Sequence, residues 1–481
     1  MGSRSRLSDL RDAVDRLLQT LVHDRPVAPT CSMSFHPTLF YIVTLLALGG
    51  AAFSGEPVPA APEAAPDPAQ WSFHLQNTDI VQGVTGLHSP YSGSNSLTPN
   101  QTRETASFTL FLGARLWDGG ALFYNPEYFQ GQGLNHTYGV AGFSNGEAQK
   151  GGSMPGVFYN ARLYFQQTFG FGGETEPVAD TKNQLAGTQD VSRLTLRVGK
   201  MAGSDVLDDN TYSHDPRGQL WNWSLWESGA WDVPAEARGY TQGMLLEWNE
   251  KNWTLRGGSY LMPTEPNGTK LDPHFWKSFG DVAELEWRYT LDDHPGKVRL
   301  LGFANRANTA NYAQATAHLG PDGLPDVAAD AALRIKYGAA LGFEQEISKD
   351  LGTFLRLSCN DGHTQSDAFT DIDRSVAFGM SLKGTAWGRE DDTVSLAAAV
   401  NGISSSHRAY LAAGGLGILV GDGRLDYATE HVLEACYDIK LFQAGSWITH
   451  LAMDYQLVSN PGYNADRGPA SIFGVRLHTE F

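Results

Sequence analysis

The feature that most constrains this chain is strict two-residue alternation, which recurs from Trp71 to Phe481 with no convincing amphipathic helix between the runs. In the clearest case Ala283, Leu285, Trp287 and Tyr289 fall on one face, and Glu284, Glu286 and Arg288 on the other. At the C-terminus Phe473, Val475, Leu477 and Phe481 share a face with Thr479, while Gly474, Arg476, His478 and Glu480 share the opposite one. Leu451, Met453, Tyr455 and Leu457 alternate with His450, Ala452, Asp454 and Gln456. Further runs are Phe108–Leu116 with Arg115 inward, Val157–Phe165 with Asn160 and Arg162, and Leu194–Val198 flanked by Arg193 and Arg197. Tyr337–Phe343, Val376–Lys383 and Leu433–Leu441 follow; in the last, Glu434, Cys436, Asp438 and Lys440 take the polar face. Such a chain is built of half-buried strands. Its 53 glycines agree, at about 11% of the chain against a typical ~7%.

A soluble sandwich also alternates, so period alone does not decide the environment. A transmembrane barrel turns its apolar face to lipid and its charges to a watery lumen. Three features favour that inverted arrangement. Aromatics gather near the ends of the apolar stripes (Trp287, Tyr289, Phe165, Phe473, Phe481), as interfacial girdles require. The segments between strands are long and rich in Gly, Asn and Asp, and the chain ends on Phe481, on an apolar strand face. No apolar run reaches the ~20 residues of a spanning helix. The net charge of −18 argues against nucleic acid as the main partner. Three cysteines (Cys31, Cys359, Cys436) exclude a disulfide-dense scaffold, and strand parity puts Cys359 and Cys436 on opposite faces.

The N-terminal 54 residues read as an extension plus a signal peptide, with the natural start expected at Met33. The apolar stretch Leu39–Leu48 leads into Gly49, Gly50, Ala51 and Ala52, and cleavage is expected after Ala52 or Ser54. Residues 55–70 form a Pro/Ala-rich linker, and the ordered domain is expected over 71–481.

Three stretches carry a family resemblance. Asp208–Gly243 contains a D-P-R-x-Q-x-x-N-W core at Asp215, Pro216, Arg217, Gln219, Asn222 and Trp223. The others are LWDGGALFYNPEYFQGQGLN, from Leu116 to Asn135, and NPGYNADRGPASIFGVRLHTEF, from Asn460 to Phe481. All three resemble the OprB family of carbohydrate-selective porins, over essentially Trp71–Phe481. The resemblance implies an all-β fold, a single-chain transmembrane antiparallel β-barrel of about 16 strands with long extracellular loops and short periplasmic turns. It further implies residence in the Gram-negative outer membrane, reached by the general secretory route, and passive diffusion of sugars such as glucose into the periplasm. The expected partners are mono- or oligosaccharides, outer-membrane lipid, and the barrel assembly machinery through the strand ending at Phe481; the barrel is expected to be a monomer or homotrimer. Some relatives carry an N-terminal coiled coil or cell-wall module. Only the linker precedes the barrel here, so peptidoglycan attachment is not implied.

A sugar pore needs hydrogen-bonding groups that match hydroxyls, and Arg presents five donors in fixed geometry. The chain has 24 Arg against 11 Lys. By parity the pore-lining candidates are Arg115, Arg162, Arg193, Arg197, Glu247, Arg256, Glu284, Glu286, Arg288, Arg356 and Arg476. The competing reading of each is a group that solvates the wall or pairs across strands. If Arg288 lines the constriction, Arg288→Ala should change conductance or sugar block. Asp208, Asp215, Arg217, Trp221 and Trp223 mark a segment that either folds into the lumen or forms an external loop packed by its own aromatics. Asp208, Asp209 and Asn210 lack the pattern of a calcium loop and read as a solvated turn. No zinc-protease, nucleophile-elbow or phosphate-loop motif occurs. The expectation is transport with neither cofactor, metal nor enzyme chemistry; a general small-solute porin and a secreted carbohydrate-binding β-sheet protein are the alternatives.

Overall fold

The computed structural model describes residues 67–149 and 156–481. The expected signal peptide and most of the linker lie outside the described residues. The first strand begins at Trp71 and the last ends at Glu480.

Among the described residues, eighteen strands follow one another along the chain. They are β1 Trp71–Thr85, β2 Gln101–Trp117, β3 Gly120–Gly131, β4 Val157–Gly170, β5 Thr175–Val178, β6 Gly187–Asp190, β7 Arg193–Met201, β8 Thr241–Asn249 and β9 Trp253–Tyr260. Then come β10 Phe279–Leu291, β11 His294–Thr309, β12 Ala332–Ser348, β13 Leu351–Asn360, β14 Arg374–Gly384, β15 Arg389–Gly402, β16 Glu430–Ala444, β17 Trp447–Ser459 and β18 Ala470–Glu480. All but β5 and β6 join in one closed antiparallel barrel of 16 strands. Closure is made by β1 against β18, in register from Gln76–Glu480 to Thr85–Ser471. Hydrocarbon offers no partner to an open strand edge, so closure is what lets this sheet cross a membrane.

The two ends of the barrel differ. At one end strands are joined by tight connections such as 118–119, 292–293 and 445–446. Asp292 and Asp293 turn with φ of 50° and 64°, the left-handed pair that a two-residue hairpin requires. At the other end run long loops, among them 202–240, 361–373 and 403–429. Short turns face the periplasm in barrels of this kind. The tryptophans mark this polarity. Trp71, Trp117, Trp248, Trp253, Trp287, Trp387 and Trp447, seven of the chain's 12, sit at the short-turn rim. Above them the outward face is apolar, with Leu255, Leu285, Leu300, Leu396, Met453 and Val475 exposed. Rim tryptophans and an apolar band form the outer surface expected of a membrane barrel.

Inward residues alternate with these. Glu284, Glu286, Arg356, Glu434, Asp454 and Arg476 are all buried inside the barrel. Cys359 faces outward and Cys436 inward, and no disulfide joins them. One expectation is corrected. Strict alternation places Asn160 on the same face as Arg162, but Asn160 is exposed on the outer side. The cause is a bulge: Asn125 pairs with Arg162 and Pro126 with Asn160, so Ala161 is an extra residue. Pro126 has no N–H to give the ladder, and a bulge is how a sheet accommodates that loss.

The long loops fold inward and knit together through buried carboxylates. Glu430 accepts the N–H groups of Ala141, Gly142 and Gly462, from two different loops. Asp371 accepts those of Leu419 and Val420. Trp231, Tyr312, Tyr410 and Tyr463 are fully buried within this inner layer.

Candidate functional site

The loop 202–240 enters the lumen and is pinned on nearly every side. Asp208 N donates to Glu284 of β10 at 2.7 Å. Thr211 gives both its N–H and its hydroxyl to Glu344 of β12. Trp221 N and Asn222 N donate to Glu434 of β16 at 2.6 and 2.9 Å. Arg356 of β13 donates to the carbonyls of Leu225 (2.8 Å) and Asp208 (3.0 Å) and pairs with the Asp208 carboxylate at 3.3 Å. Arg476 of β18 donates to the carbonyls of Pro216 and Gln219 and pairs with Asp438 at 2.8 Å. Arg217 reaches the opposite wall, pairing with Glu127 of β3 at 3.2 Å and with Glu147 at 2.6 Å. A buried backbone without such partners would cost about 1–3 kcal/mol per unsatisfied group.

This geometry accounts for the D-P-R-x-Q-x-x-N-W core. Asp215 caps its own turn by accepting Arg217 N. Gln219 accepts the N–H groups of His214 and Asp215 and donates to Thr211 O, closing the tip on itself. Asn222 donates to Gly142 O and caps the short helix Trp223–Trp226. Trp223 stacks between Phe143 and Phe369 at 5.4 and 5.7 Å. Trp221 lies so close to β18 that a Cβ on Gly474 would stand 2.3 Å from its ring. The core residues lock the loop.

Between this loop and the strands from β4 to β12 runs a charged wall. Arg256 pairs with Glu247 at 2.7 Å, Glu284 at 2.8 Å and Glu286 at 3.3 Å. Arg299 pairs with Glu286 and Glu344, each at 2.9 Å, and with Asp209 of the loop at 3.4 Å. Arg162 holds Asp205 of the loop through two nitrogens, at 2.9 and 2.5 Å. It also lies 5.2 Å from the Tyr240 ring, with Lys200 5.8 Å from the same ring. Burial opposes ionisation of Asp205, but the Arg162 guanidinium outweighs it and holds the carboxyl below the usual range. Burial likewise opposes the charge on Asp209, which His214 and Arg299 restore, so its carboxyl too is held low. Both acids stay ionised at any pH where a free aspartate would be. Fixed charges of opposite sign meet directly where the loop touches the wall, at Arg162 with Asp205 and at Arg299 with Asp209.

The other half of the barrel is different. The inward positions of β13–β16 include Gly352, Ala377, Gly379, Ser381, Ser395, Ala397 and Ala399. These small residues make room for the loop, and the Tyr212 ring rests where a Cβ on Gly352 would be. Below the loop tip lies a cavity of about 330 Å³, bounded by Thr211, Tyr212, Gln219, Ser381 and Ser395 among others.

The candidates read from parity therefore occupy distinct places. Arg162, Arg197, Glu247, Arg256 and Glu286 stand on the charged wall, where Arg197 donates to Gln166. Glu284, Arg356 and Arg476 anchor the loop. Arg115 donates to the carbonyls of Ala69 and Ala186, and Arg193 pairs with Glu176 at 2.8 Å, both at the short-turn mouth. Arg288 donates to Thr254, Asn249 and the carbonyl of Trp253, stapling the β8–β9 turn. Replacing Arg288 by alanine is accordingly expected to lower stability by about 1.5–3 kcal/mol, the range for hydrogen bonds to charged groups, with single-channel conductance unchanged. Thermal unfolding followed by gel mobility, alongside bilayer recordings, checks both halves. Asp208, Asp215, Arg217, Trp221 and Trp223 all belong to the lumen loop. Parity reasoning missed Arg299, which shares its face with the buried Leu301 and Phe303, and Glu344, which follows a run of inward glycine and alanine. It also missed Glu127, set between inward Phe123 and Phe129.

The sequence model of the carbohydrate-selective porins of the OprB family matches residues 94–481. The chain belongs to the OprB family. As an OprB-family barrel it is an outer-membrane porin for carbohydrates. Among solved structures, the high-pH form of Pseudomonas putida OprB superposes with a TM-score of 0.63 at 14% identity, covering 86% of this chain and 94% of that one. The outer membrane channel DcaP of Acinetobacter baumannii gives 0.47 at 10% identity, covering 85% and 97%. No curated protein matches the chain. The OprB likeness supports the fold, and the family match supports the porin assignment.

Proposed function

We propose that sugars of glucose size cross this OprB-family barrel beside the charged wall where the lumen loop meets it, passing Arg162 and Asp205 and then Arg256, Arg299 and Asp209. The observation that carries this reading is the docking of ionised Asp205 and Asp209 opposite Arg162 and Arg299. A sugar hydroxyl donates to a carboxylate and accepts from a guanidinium at once, so paired groups suit it better than either charge alone. Each fixed charge is already paired with its neighbour, so a passing sugar competes with existing partners and is held weakly, as conduction requires. Bulk ions meet an alternating field and gain less. The process is diffusion, with no covalent step, and the acids of the wall serve as acceptors rather than as a hydrolytic pair.

The barrel's other relations follow from the same reading. The rim tryptophans anchor it at the lipid interface, and Phe481, seated 5.1 Å from Trp447 and 6.0 Å from Phe73, presents the C-terminal strand to the assembly machinery after secretory export. The chain works as a monomer or a homotrimer. Ion current through refolded protein in planar bilayers tests the path. Glucose is expected to reduce the current in a saturable way, while mannitol and glycine at equal concentration do not. Equal, unsaturable effects from all three would make this a general small-solute porin.

A further inference from the structure

Every other short-turn connection whose length is plain in this barrel takes a few residues, but β4 and β7 are joined by 171–192. The extra length is not needed for the join. Gly170 already pairs with Arg193, and Phe171 N donates to Ser192 O at 3.0 Å, so two residues would close the gap. The excess forms the β5–β6 hairpin, whose tip is built into the inside of the barrel. Asp180 accepts from Ser72 of β1 at 2.7 Å. Lys182 donates to Gln76 of β1 and pairs with Glu480 of β18, both at 3.1 Å. Asn183 accepts from Asn125 of β3 at 2.8 Å. Asn125 stands five residues into β3 from its first residue, Gly120, or ~16 Å of strand, so the tip enters the lumen rather than lying under the rim. There it approaches the lumen loop. Burial opposes the charge on Asp215, but Lys182 and Arg217 together keep its carboxyl below the usual range.

We propose that the 171–192 hairpin is a second narrowing of the channel, a polar plug seated in the short-turn mouth that limits the size of sugar able to leave the barrel. It covers the β18–β1–β3 side and leaves the exit beside the Tyr212 cavity, on the β12–β16 side. The proposal rests on the reading that sugars cross this barrel, and adds where their size is limited.

The test replaces 172–191 by Asn-Gly in the otherwise complete chain, with heat-modifiable mobility as the check on folding. In bilayers, conductance is expected to rise by about two-fold or more, since a removed constriction no longer limits flux. In liposomes, the largest malto-oligosaccharide admitted is expected to be longer than for the parent chain. Unchanged conductance and unchanged size limit in the folded variant would overturn the proposal. Should that variant fail to fold, Asp180→Ala combined with Lys182→Ala cuts the ties to β1 and β18 and keeps the connectivity. It is expected to show intermittent steps to a higher conductance, and a single level equal to the parent's would overturn the plug. Preference for glucose over glycine belongs to the wall and should survive trimming. Its absence from the parent chain would sink the selective-passage reading and leave the size limit as an independent result.

Discussion

Replacing Arg356 by alanine is expected to open the channel. The guanidinium holds the lumen loop at three points, the carbonyls of Asp208 and Leu225 and the carboxylate of Asp208, and it is 2% exposed. Removing one partner of a buried ion pair costs about 3–5 kcal/mol, because the remaining charge is left without compensation. That cost falls on the loop's docked state, not on the barrel ladder, whose backbone bonds Arg356 does not make. The Asp208 carboxylate keeps Ser228 as a donor, at 2.6 Å to its N–H and 2.9 Å to its hydroxyl, but no longer faces a cation that balances its charge among the described residues. The loop is therefore expected to leave the wall, raising conductance several-fold and abolishing discrimination between glucose and a size-matched polyol. Bilayer recordings with gel mobility as the folding check read both. Wild-type conductance in a folded Arg356→Ala barrel would show that the remaining pins suffice.

The second large effect is expected at Arg256. Its side chain bridges Glu247, Glu284 and Glu286, so Arg256→Ala leaves three carboxylates facing one another across β8–β10. Arg299 and Arg288 still reach Glu286, but Glu247 loses the only cation bound to it among the described residues. Unpaired acids in a narrow passage attract cations and offer a sugar acceptors without donors. Cation preference, read as the reversal potential in a salt gradient, is expected to rise, and sugar block to weaken by about tenfold, the equivalent of one lost charged hydrogen bond of ~1.4 kcal/mol. Arg256→Lys keeps a charge but loses the fork geometry, and should recover ion preference more than sugar block. An unaltered reversal potential in Arg256→Ala would place this residue off the conducting path.

The barrel was legible because alternation is a local property. Ala283–Tyr289 and Phe473–Phe481 each carry their own face assignment, and neighbours only have to agree. The loop was not, since Asp205–Trp226 has no period and its conformation is set by partners on β3, β10, β12, β13, β16 and β18. Parity places Arg356 and Arg476 inside the barrel, but whether an inward arginine reaches water or a loop carbonyl depends on what else fills the lumen. Arg299 was hidden for the converse reason: its inward neighbours Leu301 and Phe303 are apolar because they pack against inner loops, so the polar-face rule fails on that strand. The β5 sequence Thr175–Val178 contains Pro177 and is only four residues long, below what alternation can signal.

The central claim, that this barrel admits sugars selectively along a loop-lined charged wall, is tested most directly by liposome swelling with refolded protein. The solutes are glucose, a disaccharide, an amino acid and a polyol of glucose size. Faster entry of glucose than of the matched polyol and the amino acid is the result predicted. Equal entry of all solutes small enough to fit would contradict it.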